Sequence, residues 1–273
     1  MLAEMGVRVW WPAPAADSAV AEASPPPAPP APPARGAAVP PARLAPEGAA
    51  PRPAVPSVPS AAIAPVAAAQ IARLDWPGLQ QAVAACQACG LCKTRTQTVF
   101  GVGPDAGPLP PQVDWLVVGE APGENEDLQG EPFVGQAGKL LDNMLKAIGL
   151  SRRGADGLQG AFIANVLKCR PPGNRNPQPD EVAQCLPYLE RQVALLQPKI
   201  ILAAGRFAVQ ALLQDTVPDV ATVPLGKLRG RVHQYRGVPV VVTYHPAYLL
   251  RTLPEKAKAW ADLCLALDTL AGR

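Results

Sequence analysis

The chain has 273 residues, a net charge of +3 and 35 prolines, 17 of which precede Gln70. Ala23 to Pro65 is a Pro/Ala tract that cannot bury enough apolar surface to offset its ordering entropy, which excludes a packed core there. The small net charge excludes binding of a polyanion by bulk charge alone, and no apolar run approaches the ~20 residues of a membrane span.

Residues 1–70 are therefore expected to form a disordered or polyproline-like extension, and residues 71–273 one globular domain of roughly 200 residues, enough for a full core. Met1 to Trp11 lacks the charged and apolar regions of a secretory signal, so the protein is read as cytoplasmic, with no membrane attachment. Trp10 and Trp11 are either a docking element, on the domain or on an unidentified protein partner, or a loosely held terminus. Six cysteines in such a chain read as metal ligands or core residues before disulfides.

Past the tract, Ile71 to Ala85 has helical spacing and leads into the turn Cys86-Gln87-Ala88-Cys89-Gly90-Leu91-Cys92. An apolar strand, Val113 to Gly119, stops at Glu120-Ala121-Pro122-Gly123. An acidic loop and Pro132-Phe133-Val134-Gly135 follow, then a helix over Gln136 to Ile148 with Leu141, Met144, Leu145 and Ile148 on its apolar face. Ala161 to Leu167 is the next strand, and it runs into the Pro- and Gly-rich loop Lys168 to Arg175. A helix spans Asp180 to Leu196, a strand Lys199 to Ala204 and a helix Arg206 to Leu213. Val232 to Tyr235 and Val238 to Thr243 read as a hairpin around Arg236-Gly237. His245 to Arg251 follows directly, and Ala257 to Leu270 is the last helix. Strands alternating with helices imply a mostly parallel sheet covered on both faces.

The chemistry-bearing residues gather at strand ends. In a parallel sheet Glu120, Asn165 and His245 open on one carboxyl edge, where such folds bind ligands. An Asn amide donates and accepts at once, which suits the edge of a nucleobase. Phe133 offers a stacking face, and His245 a hydrogen bond to an oxygen gaining charge. Lys168, Arg170, Arg175, Lys227, Arg229, Arg231 and Arg251 form a basic set for phosphates. Cys86 and Cys89 make a CxxC that Cys169 and Cys185 complete as four thiolates, suited to zinc or to an iron–sulfur cluster. Cys92 makes the turn CxxCxxC, so spacing leaves the choice among the three turn cysteines open. Cys264, set among leucines, reads as core.

Four motifs in order, GEAPGENED, EPFVGQAGKLLD, ANVLKCRPPGNRNP and HPAYLLR, resemble the family 4 uracil-DNA glycosylases over about Ala85 to Leu270. The resemblance implies an α/β fold: a three-layer α/β/α sandwich with a central, mostly parallel four-stranded sheet. It implies a [4Fe–4S] cluster on Cys86, Cys89, Cys169 and Cys185, leaving Cys92 as an extra residue. It implies a hydrolase that acts on uracil-containing DNA, single- or double-stranded, flips the base out and leaves an abasic site; the chain is read as a monomer.

The same resemblance assigns roles. Phe133 stacks on uracil and Asn165 reads its N3 and O4 edge. Backbone amides from Gly119 through Ala121 to Gly123, with His245, stabilise charge on O2. Glu126 crowds C5 against thymine's methyl, Leu249 or Leu250 fills the gap in the duplex, and Arg170 and Arg251 meet the DNA. Family 1 relatives carry an Asp where this chain has Ala121, so Glu120 becomes the expected positioner of water. Two further readings are a protein that traps uracil-DNA covalently, and a zinc-containing DNA-binding module without activity.

Overall fold

The computed structural model describes residues 68–154 and 157–272; the Pro/Ala tract, Trp10 and Trp11 lie outside the described residues. In chain order the elements are α1 (Ala68–Ile71), α2 (Trp76–Ala84), β1 (Trp115–Gly119), α3 (Glu124–Gln129), α4 (Gln136–Ala147), β2 (Leu150–Ser151) and β3 (Gln159–Asn165). They continue with α5 (Pro179–Leu196), β4 (Ile200–Ala204), α6 (Arg206–Leu213), α7 (Leu225–Leu228), β5 (Val232–Tyr235), β6 (Val238–Thr243), α8 (Pro246–Arg251) and α9 (Lys256–Leu270).

The sheet has six strands in the order β2-β3-β1-β4-β6-β5. All neighbours are parallel except the β5–β6 hairpin. The expected four parallel strands are thus present as β3-β1-β4-β6. The two-residue β2 and the antiparallel β5 extend the edges; β2 is too short to carry a period-2 signal of its own.

β1 and β4 are apolar and buried at every position, as is the Ala161–Ala164 stretch of β3, because both sheet faces are covered. On one face Leu116, Val118, Phe162, Ala164, Ile201, Ala203, Val240 and Val242 pack with Trp76, Leu189, Val193 and Leu212 from α2, α5 and α6. On the other, Trp115, Val117, Ile163, Leu202 and Val241 pack with Leu141 and Leu145 of α4 and Leu263 of α9. Three layers result.

Two sequence readings are corrected here. The helix expected over Ile71 to Ala85 is broken, with α1 ending at Ile71 and α2 starting at Trp76. Pro77 would cost a hydrogen bond and a steric clash in a helix interior but is tolerated in a first turn, where α2 places it. The chain restarts at Asp75, whose side chain accepts from the Gly78 amide at 2.9 Å as an N-cap. The acidic loop after Gly123 also contains α3, with Glu124, Glu126 and Asp127 in its first turn, where carboxylates favour the positive end of the helix.

Strand ends fix where the site lies. Gly119 pairs with Asn165 across β1 and β3, and Ala204 with Thr243 across β4 and β6. Glu120, Asn165 and His245 therefore emerge on the same edge. The chain leaves β1 for β3 on one side and then crosses to β4 on the other, which opens a crevice at the end of β1.

The Asp75 cap gives a direct check on the helix break. Asp75→Ala is expected to lower unfolding free energy by about 1 kcal/mol in a denaturant melt, whereas Gln81→Ala, at an exposed position of α2, leaves it within about 0.5 kcal/mol.

Candidate active site

Gly119 closes β1 with no side chain, and the site depends on that. A Cβ there would lie 2.4 Å from Asn165 Oδ1 and 2.5 Å from Phe133 Cζ. Gly138 has the same role in the next layer: a Cβ there would fall 1.7 Å from the Phe133 carbonyl oxygen. Helix α4 therefore sits tightly under the Phe133 backbone. Phe133 itself has φ of 55°, a left-handed conformation that a bulky residue adopts only under constraint.

The constraint is visible. Arg152 donates to the carbonyl oxygens of Pro132 at 3.0 Å and Phe133 at 2.9 Å, and its Nε donates to Asp142 Oδ1 at 2.9 Å. From the other side, Glu126 Oε1 accepts from the amides of Val134 at 3.0 Å and Gly135 at 3.4 Å, while its Oε2 accepts from Gly123 at 3.1 Å. One carboxylate thus ties the Gly123 turn to the Phe133 segment. Arg152 carries no motif signal, because an arginine pair after a two-residue strand looks like surface charge.

Glu120, Ala121, Glu126, Phe133, Asn165, His245, Tyr248 and Arg251 line one open cavity of about 490 Å³, a size suited to a small ligand. Asn165 is buried, and its Oδ1 has no hydrogen-bond partner among the described residues. A buried acceptor left open this way is costly unless something supplies a donor. Phe133 and His245 are stacked with ring centroids 5.4 Å apart.

The electrostatics separate the two titratable groups. Burial, with no opposing charge, raises the Glu120 carboxyl to about 7. Burial first, and then the Arg251 cation, lower the His245 imidazole to about 4, against a smaller opposite pull from Glu126. His245 is therefore neutral near pH 7. Its Nδ1 accepts from the Ala247 amide at 3.2 Å, which puts the ring proton on Nε2. The loop offers fewer backbone donors than Gly119 to Gly123 would suggest. Pro122 has no N–H and the Gly123 amide is committed to Glu126, leaving the amides of Glu120 and Ala121.

Several expected DNA contacts are redistributed. Leu249 is 1% exposed and belongs to the core, whereas Leu250 on the same helix is 41% exposed; only Leu250 is free to enter a duplex. Arg170 donates to Asn174 Oδ1 at 2.8 Å and lies 3.6 Å from Glu124. Arg175 is paired with Glu181 through both guanidinium nitrogens, at 2.9 and 2.5 Å. Arg229 is held by Asp262 at 2.7 and 2.8 Å, with its guanidinium 4.5 Å over the Tyr244 ring. Lys168 is buried. Four of the seven basic residues read from the sequence thus serve internal contacts; Lys227, Arg231 and Arg251 are exposed, and of these Arg251 lines the cavity, where it can meet a phosphate.

The cysteines surround a second, smaller cavity. Cys86, Cys89, Cys92, Cys169 and Cys185 all line it, with Val83, Leu91, Leu167 and Tyr188 as apolar walls. Among the described residues, no three His, Cys, Asp or Glu side chains converge as ligands of a single ion. Cysteine thiols lining one cavity are the ligand type of thiolate-held zinc and of iron–sulfur clusters. Two N–H groups already point at sulfur: Arg95 Nη1 lies 3.0 Å from Cys169 Sγ and the Lys168 amide 3.2 Å from Cys185 Sγ. Such donors stabilise thiolate ligands. The donor set therefore fits a thiolate-held cluster. Cys264 lies on α9, away from this cavity. Gly135 caps α4 directly, with no inserted segment after the Phe133 turn.

A family model for the uracil DNA glycosylase superfamily matches residues 106–264. The Type-4 uracil-DNA glycosylase of Archaeoglobus fulgidus is 42% identical over 62% of this chain and 79% of its own length. That of Saccharolobus solfataricus is 41% identical over 69% of this chain and 83% of its own. That of Pyrobaculum aerophilum is 39% identical over 70% and 93%.

If Arg152 holds the Phe133 turn, Arg152→Ala should speed hydrogen exchange at the Val134 and Gly135 amides by about tenfold or more, while exchange in β4 stays at the parent rate.

Proposed function

The chain belongs to the uracil DNA glycosylase superfamily, and from that membership we propose that it excises uracil from DNA, hydrolysing the N-glycosidic bond and leaving an abasic site. The observation that carries the reading is the open Asn165 Oδ1, a buried acceptor facing a cavity that also holds Phe133, a neutral His245 and Glu120. Uracil offers N3–H to that oxygen and O4 to the amide nitrogen. Cytosine presents an acceptor and a donor in the reverse order, so both contacts fail, and a site built to bond one pattern rejects the other strongly.

The base reaches this cavity only after rotation out of the stack. Phe133 supports its ring, and the exposed Leu250 takes up the space vacated in the duplex. As the C1′–N1 bond breaks, negative charge spreads onto O2. Neutral His245 donates from Nε2 to that oxygen, with the amides of Glu120 and Ala121 beside it. A neutral donor preorganised in a dry site is a strong stabiliser of such charge. The sugar becomes oxocarbenium-like and water adds to C1′. Ala121 has no group to orient that water. Glu120, half-buried and raised to about 7 by that burial, is assigned to hold it and accept its proton. Glu126 contributes to the wall near C5 while bracing the turns that carry the reacting loop.

Cys86, Cys89, Cys169 and Cys185 are assigned as ligands of a [4Fe–4S] cluster. When bound, it supplies a rigid cross-link between the cysteine turn, the loop after β3 and α5. Cys92 lines the same cavity and is the remaining thiol. Iron and acid-labile sulfide analysis with absorbance near ~400 nm tests the assignment; a colourless protein with stoichiometric zinc would sink it.

The activity is checked by release of free uracil from a uracil-containing oligonucleotide. His245→Ala and Asn165→Asp are each expected to lower kcat by about 100-fold or more, with DNA affinity within about threefold of the parent. Parent-like turnover in both would refute the site.

The pH profile follows from the two shifts. His245, at about 4, stays neutral across the working range. Glu120, at about 7, gains its proton as pH falls. The parent kcat/KM is expected to drop with a single protonation centred near 7, and Glu120→Gln to be slow and flat from pH 5.5 to 8.5. A parent limb unchanged in Glu120→Gln would assign that ionisation to another group.

A further inference from the structure

Lys168 is 2% exposed, at the junction between Asn165 and Cys169. Its ammonium donates to the Asn165 carbonyl oxygen at 2.8 Å and to Gln192 Oε1 at 2.6 Å. Both partners are neutral. Gln192 is itself fully buried, and its Nε2 donates to the Phe100 carbonyl oxygen at 2.9 Å, which turns the amide oxygen toward the lysine. Among the described residues no carboxylate pairs with Lys168, while two cysteines adjoin it: Cys169 follows it in the chain, and its own amide donates to Cys185 Sγ at 3.2 Å. A lysine is almost never fully buried without a counter-charge.

The cysteine cavity supplies the missing anion. Lys168 lines it, and so does Arg95, whose guanidinium meets Cys169. Free thiols would leave the ammonium uncompensated. Thiolates bound to a cluster would carry the negative charge that this cation lacks.

We propose that Lys168 is the internal counter-cation of the thiolate-held cluster and, through its bond to the Asn165 carbonyl, the link that positions the base-reading amide from the cluster side. This rests on the cluster assignment above. Lys168 touches neither base nor sugar, so it is a positioning residue. The contact runs over three residues: ligand at Cys169, ammonium at Lys168, strand end at Asn165. Charge in the cysteine cavity thereby holds the end of β3 against Gly119.

The test uses the protein purified with its cluster, in parent, Lys168→Met, Lys168→Arg and Gln192→Leu forms. Lys168→Met removes the charge at similar volume. Loss of a cation beside the cluster disfavours an added electron. The midpoint potential is therefore expected to become more negative by at least a tenfold change in the reduction equilibrium, about 59 mV for one electron. Bleaching near 400 nm by a chelator is expected to accelerate by about tenfold. Gln192→Leu keeps the ammonium and should hold the parent potential; Lys168→Arg should recover cluster retention.

A Met variant with the parent's potential and retention overturns the proposal, as does a Gln192→Leu shift of equal size. Should Lys168→Met fail to fold, folding of Lys168→Arg with bound iron supports the charge requirement, and failure of both overturns it. Absence of iron and sulfide from the parent would instead defeat the cluster assignment, a separate result.

Discussion

The packing around Gly119 is the constraint on which the site rests. Asn165 Oδ1 and Phe133 Cζ both occupy space that any Cβ at Gly119 would fill. A stacking ring and a base-reading amide can therefore meet at the end of β1 because that strand ends without a side chain. The cost lies in Phe133, which is held at positive φ. Such a conformation persists where its surroundings over-determine it. Here Arg152 grips the carbonyls of Pro132 and Phe133, Glu126 grips the amides of Val134 and Gly135, and α4 closes underneath at Gly138.

The reacting loop has a second dependence. Ala121 lines the large cavity and also packs against the cluster of Leu91, Leu167 and Cys169. Pro171, two residues past Cys169, lines the large cavity as well. The pocket and the cysteine cavity have separate linings, joined through Ala121 and the short run from Cys169 to Pro171. A small residue at 121 lets the loop lie against the cysteine layer, which an Asp would not do without burying a charge. The missing carboxylate at that position and the presence of thiols behind it are physically linked.

Much of this was legible in the chain. Apolar runs of five or six residues between helical patterns located β1, β4 and β6, because burial on both faces removes any polar alternation. The four strand-end motifs marked Glu120, Phe133, Asn165 and His245, and these do line one cavity. What was not legible is side-chain pairing over distance. Arg175, Arg229 and Lys168 looked like phosphate ligands, since sequence counts charge and cannot see that Glu181, Asp262 and Gln192 lie against them. Leu249 and Leu250 were indistinguishable as neighbours. Which of the two faces out depends on how α8 packs against α4. Arg152 was invisible for the same reason, its partners lying 10 to 20 residues back along the chain.

The two titratable groups show why this arrangement works without an aspartate at Ala121. Burial disfavours charge on both, and it acts in opposite directions: His245 loses its proton readily, Glu120 keeps its proton up to about 7. A protonated histidine would repel the positive charge growing on the sugar, so a neutral donor serves O2 better. A carboxylate that ionises only near neutrality is a stronger base than an ordinary surface glutamate. The same partial burial thus tunes donor and base at once.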